Sequence, residues 1–191
     1  YASIPGVAIF GLNELGVRIT PVIYGTLTVL FLYFLAKELF ESKTFGLLSA
    51  FLLAISPWHI HLTRTSFESS FSVMWVVLGM WFLIKGFEKP KWWILSMVPF
   101  AISVYTYNSA RIFTPLFLLA IAIIFRKEFW LKKKEAIFSA LLFFVLMLPL
   151  VPFVLSGEAR ARYKLVSISD DPGLIPRISE ARNLSKLPFP L

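Results

Sequence analysis

The chain has no cysteine. That excludes disulfides and thiolate metal sites and leaves the redox compartment unread. Charge is scarce: 16% of residues are Asp, Glu, Lys or Arg, against 58% that are hydrophobic. A soluble domain of 191 residues with so little polar surface could not cover itself. Phosphate-cradling loops of the Walker type, dinucleotide fingerprints, zinc-protease motifs and nucleophile elbows are all missing. So are internal repeats, heptads and low-complexity stretches.

What the sequence does have is apolar residues in long runs, not in short alternations, the mark of a polytopic helical membrane protein. The fold class expected is all-α, an integral membrane helical bundle of about six spans. These are Ile19–Ala36, Phe45–Leu62, Ser69–Ile84, Trp92–Tyr107, Ile112–Phe125 and Ala136–Leu155. Pro21 falls in the first turn of the first span, where proline is tolerated, and Pro57 bends the far end of the second. Tyr1–Leu15, interrupted by Pro5, Gly6 and Gly11, is too short to span and reads as a re-entrant or interfacial segment. Residues 1–155 then form a membrane domain. Residues 156–191 form a polar extracytoplasmic region with a short helix expected near Asp171-Pro172. No charged leader or cleavage site precedes the first apolar run, so the chain reads as a piece of a longer protein with one more span upstream.

Orientation follows from the basic residues. Loops 37–44, 85–91 and 126–135 hold ten lysines and arginines, and the alternate turns hold only Arg64 and Arg111. The positive-inside bias puts the first set in the cytoplasm and the second outside. The net charge of +8 is then a topology signal, and no nucleic-acid partner is expected.

Two outer turns carry nearly all the unusual polar groups: Pro57–Glu68, PWHIHLTRTSFE, and Tyr105–Pro115, YTYNSARIFTP. Such groups are costly in an apolar setting unless they pair or meet a ligand. A guanidinium is a bidentate phosphate ligand, and aromatics beside it can stack on a sugar or line a lipid groove. Plainer readings stand beside these. Arg64 and Glu68 are four apart and could simply pair on a helix. Tyr105 and Tyr107 could be interfacial belt residues, and Arg111 could snorkel to headgroups. His59 and His61 have no third ligand nearby and point to nearly opposite faces of a helix, so no metal site is assigned.

The segments GLNELGVRITPVIYG, SPWHIHLTRTSFE and YTYNSARIFTPL, in that order, resemble the bacterial and archaeal members of glycosyltransferase family 39. That family includes the protein O-mannosyltransferases and is related to the aminoarabinose transferase that modifies lipid A. The likeness runs from about Gly11 to Pro115, and more loosely into the tail. It implies a C-type glycosyltransferase (GT-C) fold, a multi-pass plasma (inner) membrane protein with its active site on the extracytoplasmic face. It also implies a polyprenyl-phosphate-linked sugar donor, with a protein, lipid or glycan as acceptor. The family's candidate base lies in a first outer loop upstream of Tyr1. The acidic position of the second outer loop corresponds to Glu68, where many relatives have aspartate, and the arginine before it to Arg64.

The residue chemistry agrees on its own terms. A lipid phosphate is already a competent leaving group, so the site needs a carboxylate for the acceptor proton and cations for the phosphate. It needs no second acid, unlike a glycosidase. Glu68 is the candidate catalytic residue. His59, Arg64, Tyr105, Tyr107, Asn108 and Arg111 are the candidate substrate-binding residues. No cofactor is assigned, and a divalent metal stays compatible with the chemistry. The rival reading is a multi-pass transporter or lipid flippase. A transporter usually places its charges near the midplane, whereas these polar groups gather at one face.

Overall fold

The structure is a computed structural model that describes residues 3–65 and 67–152. The chain divides into two units, Tyr1–Met147 and Leu148–Leu191. In the second unit the description covers a 3-10 turn at Leu148–Leu150 and two further helical residues. The end of the sixth expected span and the helix expected near Asp171 lie outside the described residues.

The first unit is all-α. Helix α1 (Ile4–Phe10) is short and is followed by Gly11 at φ 79°, a left-handed turn that glycine adopts without strain. Helix α2 (Glu14–Leu39) is 26 residues long and starts five residues before the expected span. Asn13 is the reason: its Oδ1 accepts from the Gly16 amide at 2.8 Å, and its Nδ2 donates to the Phe10 carbonyl at 2.7 Å. The exposed first turn is held by an ion pair, Arg18 Nη2 to Glu14 Oε1 at 2.7 Å. Pro21 consequently lies inside the helix and not in its first turn, and it is buried.

The second expected span is broken. Helices α3 (Lys43–Ala54) and α4 (Pro57–Arg64) meet at a 57° bend over Ile55 and Ser56. Pro57 stands at the first position of α4, where its missing amide costs nothing, and Ser56 before it is extended as proline requires. Helix α5 (Glu68–Glu88) has 21 residues, α6 (Lys91–Thr106) 16 and α7 (Ala110–Ile124) 15. The loop expected at 126–135 contains a further short helix, α8 (Arg126–Leu131), before α9 (Lys133–Met147). By length and composition α2 and α5 can each cross a membrane, and the bent α3–α4 pair would make a third crossing.

Side-chain contacts give the directions of α2, α5 and α6. Tyr24 meets Phe71 at 4.7 Å and Phe34 stacks on Trp81 at 4.8 Å, so α2 and α5 run the same way. Helix α6 runs back along α5, with Ser72 facing Ser103, Gly79 facing Phe100 and Gly86 facing Trp93. A Cβ at Gly86 would collide with the Trp93 indole, so glycine there sets how closely α5 and α6 approach. The lysine-rich loops 85–91 and 126–135 meet at one end, where Lys132 Nζ donates to the Phe87 carbonyl at 2.9 Å.

Packing differs from that of a soluble bundle. Thr20, Thr28, Ser70, Ser72, Ser96, Ser103, Thr114 and Ser139 are buried, while large side chains such as Phe51, Ile112, Leu119 and Phe144 are more than half exposed. Small hydroxyls and glycines at the helix contacts, beneath an apolar outer surface, are how helices pack when lipid is the solvent. Large side chains are buried too, and Leu83, Trp93, Met97 and Phe100 form a core cluster on α5 and α6.

Candidate functional site

The end of the unit opposite the lysine-rich loops gathers the expected site residues in two groups. The first belongs to α4 and the start of α5. His59 is half-buried, and its Nε2 lies 3.2 Å from the Gly25 carbonyl of α2. Thr63, one turn on, packs against Gly25, where an added Cβ would come within 2.8 Å of its Cγ2. These contacts fix the broken half-span to the middle of α2. Arg64 ends α4 and is exposed.

Glu68 opens α5 and is exposed as well. A carboxylate in the first turn is favoured by the helix dipole. Arg64 and Glu68 stand on different helices, so the simple intrahelical pairing does not form. Among the described residues the ion pair is Arg18–Glu14.

The second group is the α6–α7 turn. Tyr107 closes α6 in an extended conformation, its amide still bonded to the Ser103 carbonyl at 3.2 Å. Amides of Ala110 and Arg111 then bond back to the carbonyls of Tyr107 and Asn108, which starts α7. Asn108 is exposed and Tyr107 half-buried. Arg111 is half-buried in the first turn of α7, with its Nε buried, and the positive end of the helix dipole favours an anion there. Tyr105 donates its phenol to the Leu146 carbonyl at 2.6 Å, which ties α6 to α9.

A buried set of hydroxyls that sequence reasoning missed links α5, α6 and α7. Ser72 Oγ donates to the Ser103 carbonyl at 3.3 Å, Ser103 Oγ donates to the Phe100 carbonyl at 2.7 Å, and Ser103 Oγ is hydrogen-bonded to Thr114 Oγ1 at 3.1 Å. Ser103 and Thr114 are wholly buried and Ser72 is nearly so. One helical turn outward from these three stand Glu68, Tyr107 and Arg111: four residues before Ser72, four after Ser103 and three before Thr114. The hydroxyl contacts therefore join the three helix ends on which Glu68, Tyr107 and Arg111 stand. The only sequence signal for them was Ser or Thr inside otherwise apolar runs.

Among the described residues, no three His, Asp or Glu side chains come together as a metal ion would require. His59 and His61 share α4, but His59 turns toward α2 while His61 is exposed.

Comparison with known proteins bears on this arrangement. A 101-residue stretch is 31% identical to a protein of Pyrococcus horikoshii named dolichyl-phosphooligosaccharide-protein glycotransferase 2. The stretch covers 50% of this chain and 13% of that relative. No solved structure matches. The profile of the family described as dolichyl-phosphate-mannose-protein mannosyltransferase matches residues 5–153, which takes in every candidate site residue. The chain belongs to that family of membrane glycosyltransferases.

Proposed function

We propose that this chain forms part of a multi-pass plasma-membrane enzyme that moves a sugar from a polyprenyl-phosphate carrier to a protein acceptor at the extracytoplasmic face. The observation that carries the reading is the placement of Glu68, Tyr107 and Arg111 one turn outward of the Ser72–Ser103–Thr114 contacts, at the end away from the lysine-rich loops. All six apolar segments cross the membrane in this reading, with α6, α7 and α9 completed by flanking residues and α3–α4 bent at its outer half. Residues 1–155 make the membrane domain and 156–191 the extracytoplasmic region.

The chemistry follows from the charges. The acceptor oxygen or nitrogen attacks the anomeric carbon and loses its proton to a carboxylate. The bond from that carbon to the carrier oxygen breaks, and the lipid phosphate leaves with the electron pair. Arg111, at the positive end of the α7 dipole, holds that phosphate, and charge assistance there is strongest as negative charge builds on the leaving oxygen. Arg64 supplies a second cation from α4. Glu68 takes the proton or orients the group that does, and Tyr107, Asn108, Tyr105 and His59 border the sugar and acceptor. Both similar protein descriptions name a protein acceptor and a dolichyl-linked donor, which supports a polyprenyl donor and favours transfer over flipping.

The test is transfer of labelled sugar from a polyprenyl-phosphate donor by the purified intact protein carrying Glu68→Gln. Turnover should fall by roughly 10²-fold with expression and thermal stability unchanged, and Glu68→Asp should keep more than Gln. Undiminished turnover in a stable Gln variant would reduce Glu68 to a helix-start carboxylate worth about 0–1 kcal/mol.

A further inference from the structure

We propose that the outward face of α8 is a docking surface for the anionic phospholipid headgroups of the leaflet at the lysine-rich end. Helix α8 was not expected from the sequence, and its two faces differ sharply. Phe129 turns inward, 4.5 Å from the Trp93 ring and 6.1 Å from Phe87, and fastens the helix to the bundle. Lys132, just after the helix, is occupied by the Phe87 carbonyl and sits 5.8 Å over the Trp93 ring. These contacts hold α8 against the bundle end. The opposite face is then displayed: Arg126, Lys127, Trp130 and Leu131 line one shallow concavity of about 510 Å³.

Trp130 is 79% exposed and Leu131 82% exposed, more than any other tryptophan or leucine of the bundle end that carries them. Spacing pairs each apolar side chain with a cation one turn earlier, Arg126 with Trp130 and Lys127 with Leu131. A soluble partner would have to cover this face with both acid and apolar groups. A leaflet supplies both at once: phosphate at headgroup depth for the two cations, and the acyl boundary for the indole and the leucine. Lys133 and Lys134, both exposed, extend the positive field along the same end, against Glu128 and Glu135. The proposal does not depend on sugar transfer.

The experiment measures association of spin-labelled phosphatidylglycerol and phosphatidylcholine with the intact protein in vesicles containing both lipids. Wild type should prefer phosphatidylglycerol, and the preference should shrink as salt rises. Arg126→Gln with Lys127→Gln should lower it roughly fivefold per charge removed, whereas Arg126→Lys with Lys127→Arg should retain it. Trp130→Ala should weaken association of both lipids. Equal association of the two lipids with wild type, or an undiminished preference in the double Gln variant, would overturn the proposal. So would loss of the preference on adding inorganic phosphate at constant ionic strength, since that would mark a free-phosphate site.

Discussion

At the scale of single residues, position on a helix decides what each charge can do. Arg111 lies in the first turn of α7, one turn outward of Thr114, whose hydroxyl meets Ser103 at 3.1 Å. A guanidinium there sits at the positive end of the helix dipole, and its planar fork suits a phosphate better than an ammonium does. Arg111→Lys should therefore lose most donor use even though the charge survives, read as a raised KM for the polyprenyl-phosphate sugar. Unchanged donor kinetics would make Arg111 a headgroup-snorkelling residue. Thr114 tests the same geometry from below. Thr114→Val removes one interhelical hydrogen bond, worth about 0.6 kcal/mol and at most about 1.7 in a membrane bundle. If that contact sets the height of Arg111, Thr114→Val should raise the donor KM several-fold while stability falls only slightly, and Thr114→Ser should restore it. An equal loss in the Ser and Val variants would show that the threonine methyl matters and the hydroxyl does not.

At the scale of helices, small residues control approach. Gly86 leaves no room for a Cβ against Trp93, a side chain only 1% exposed that cannot swing aside. Gly86→Ala should destabilise the α5–α6 pair by about 1–3 kcal/mol, the usual cost of overpacking, seen as a lower Tm in detergent. Trp93→Phe in the same background should recover part of it; an unshifted Tm would mean that Gly86 and Trp93 are not in contact. Much of this level was legible in the sequence. The apolar runs marked α5, α6 and α7 to within a few residues, and Pro57 announced the bend. The first residues of α2 and the whole of α8 were missed for local reasons. Asn13 caps α2 five residues early and the Glu14–Arg18 pair supports the exposed turn, which an apolar window does not register. Helix α8 hides in a charged loop because only Phe129 of it is fastened by packing, to Trp93 and Phe87. The candidate site divides in the same way. Its charged members stood out against an apolar background. The hydroxyls beneath them, Ser72, Ser103 and Thr114, did not, because their meaning lies in contacts between residues 11 and 31 apart.

At the scale of the whole molecule, the membrane accounts for both ends of the first unit. Lysine-rich loops meet at one end through Lys132 and Phe87, and the candidate site lies at the other. Cysteine tags replacing Lys89 and Lys133 should be labelled only from the cytoplasm, and tags replacing Thr65 and Ser109 only from outside. Labelling of Lys89 and Ser109 positions from the same side would contradict the alternation of helices and the orientation together. The same sidedness gives the most direct test of the function. Sealed vesicles of known orientation carry the intact protein and a polyprenyl-phosphate donor with labelled sugar, and a membrane-impermeant peptide acceptor is placed on one face. Label should enter the peptide when it faces Ser109 and not when it faces Lys89; transfer confined to the Lys89 face, or none to either, would contradict the account.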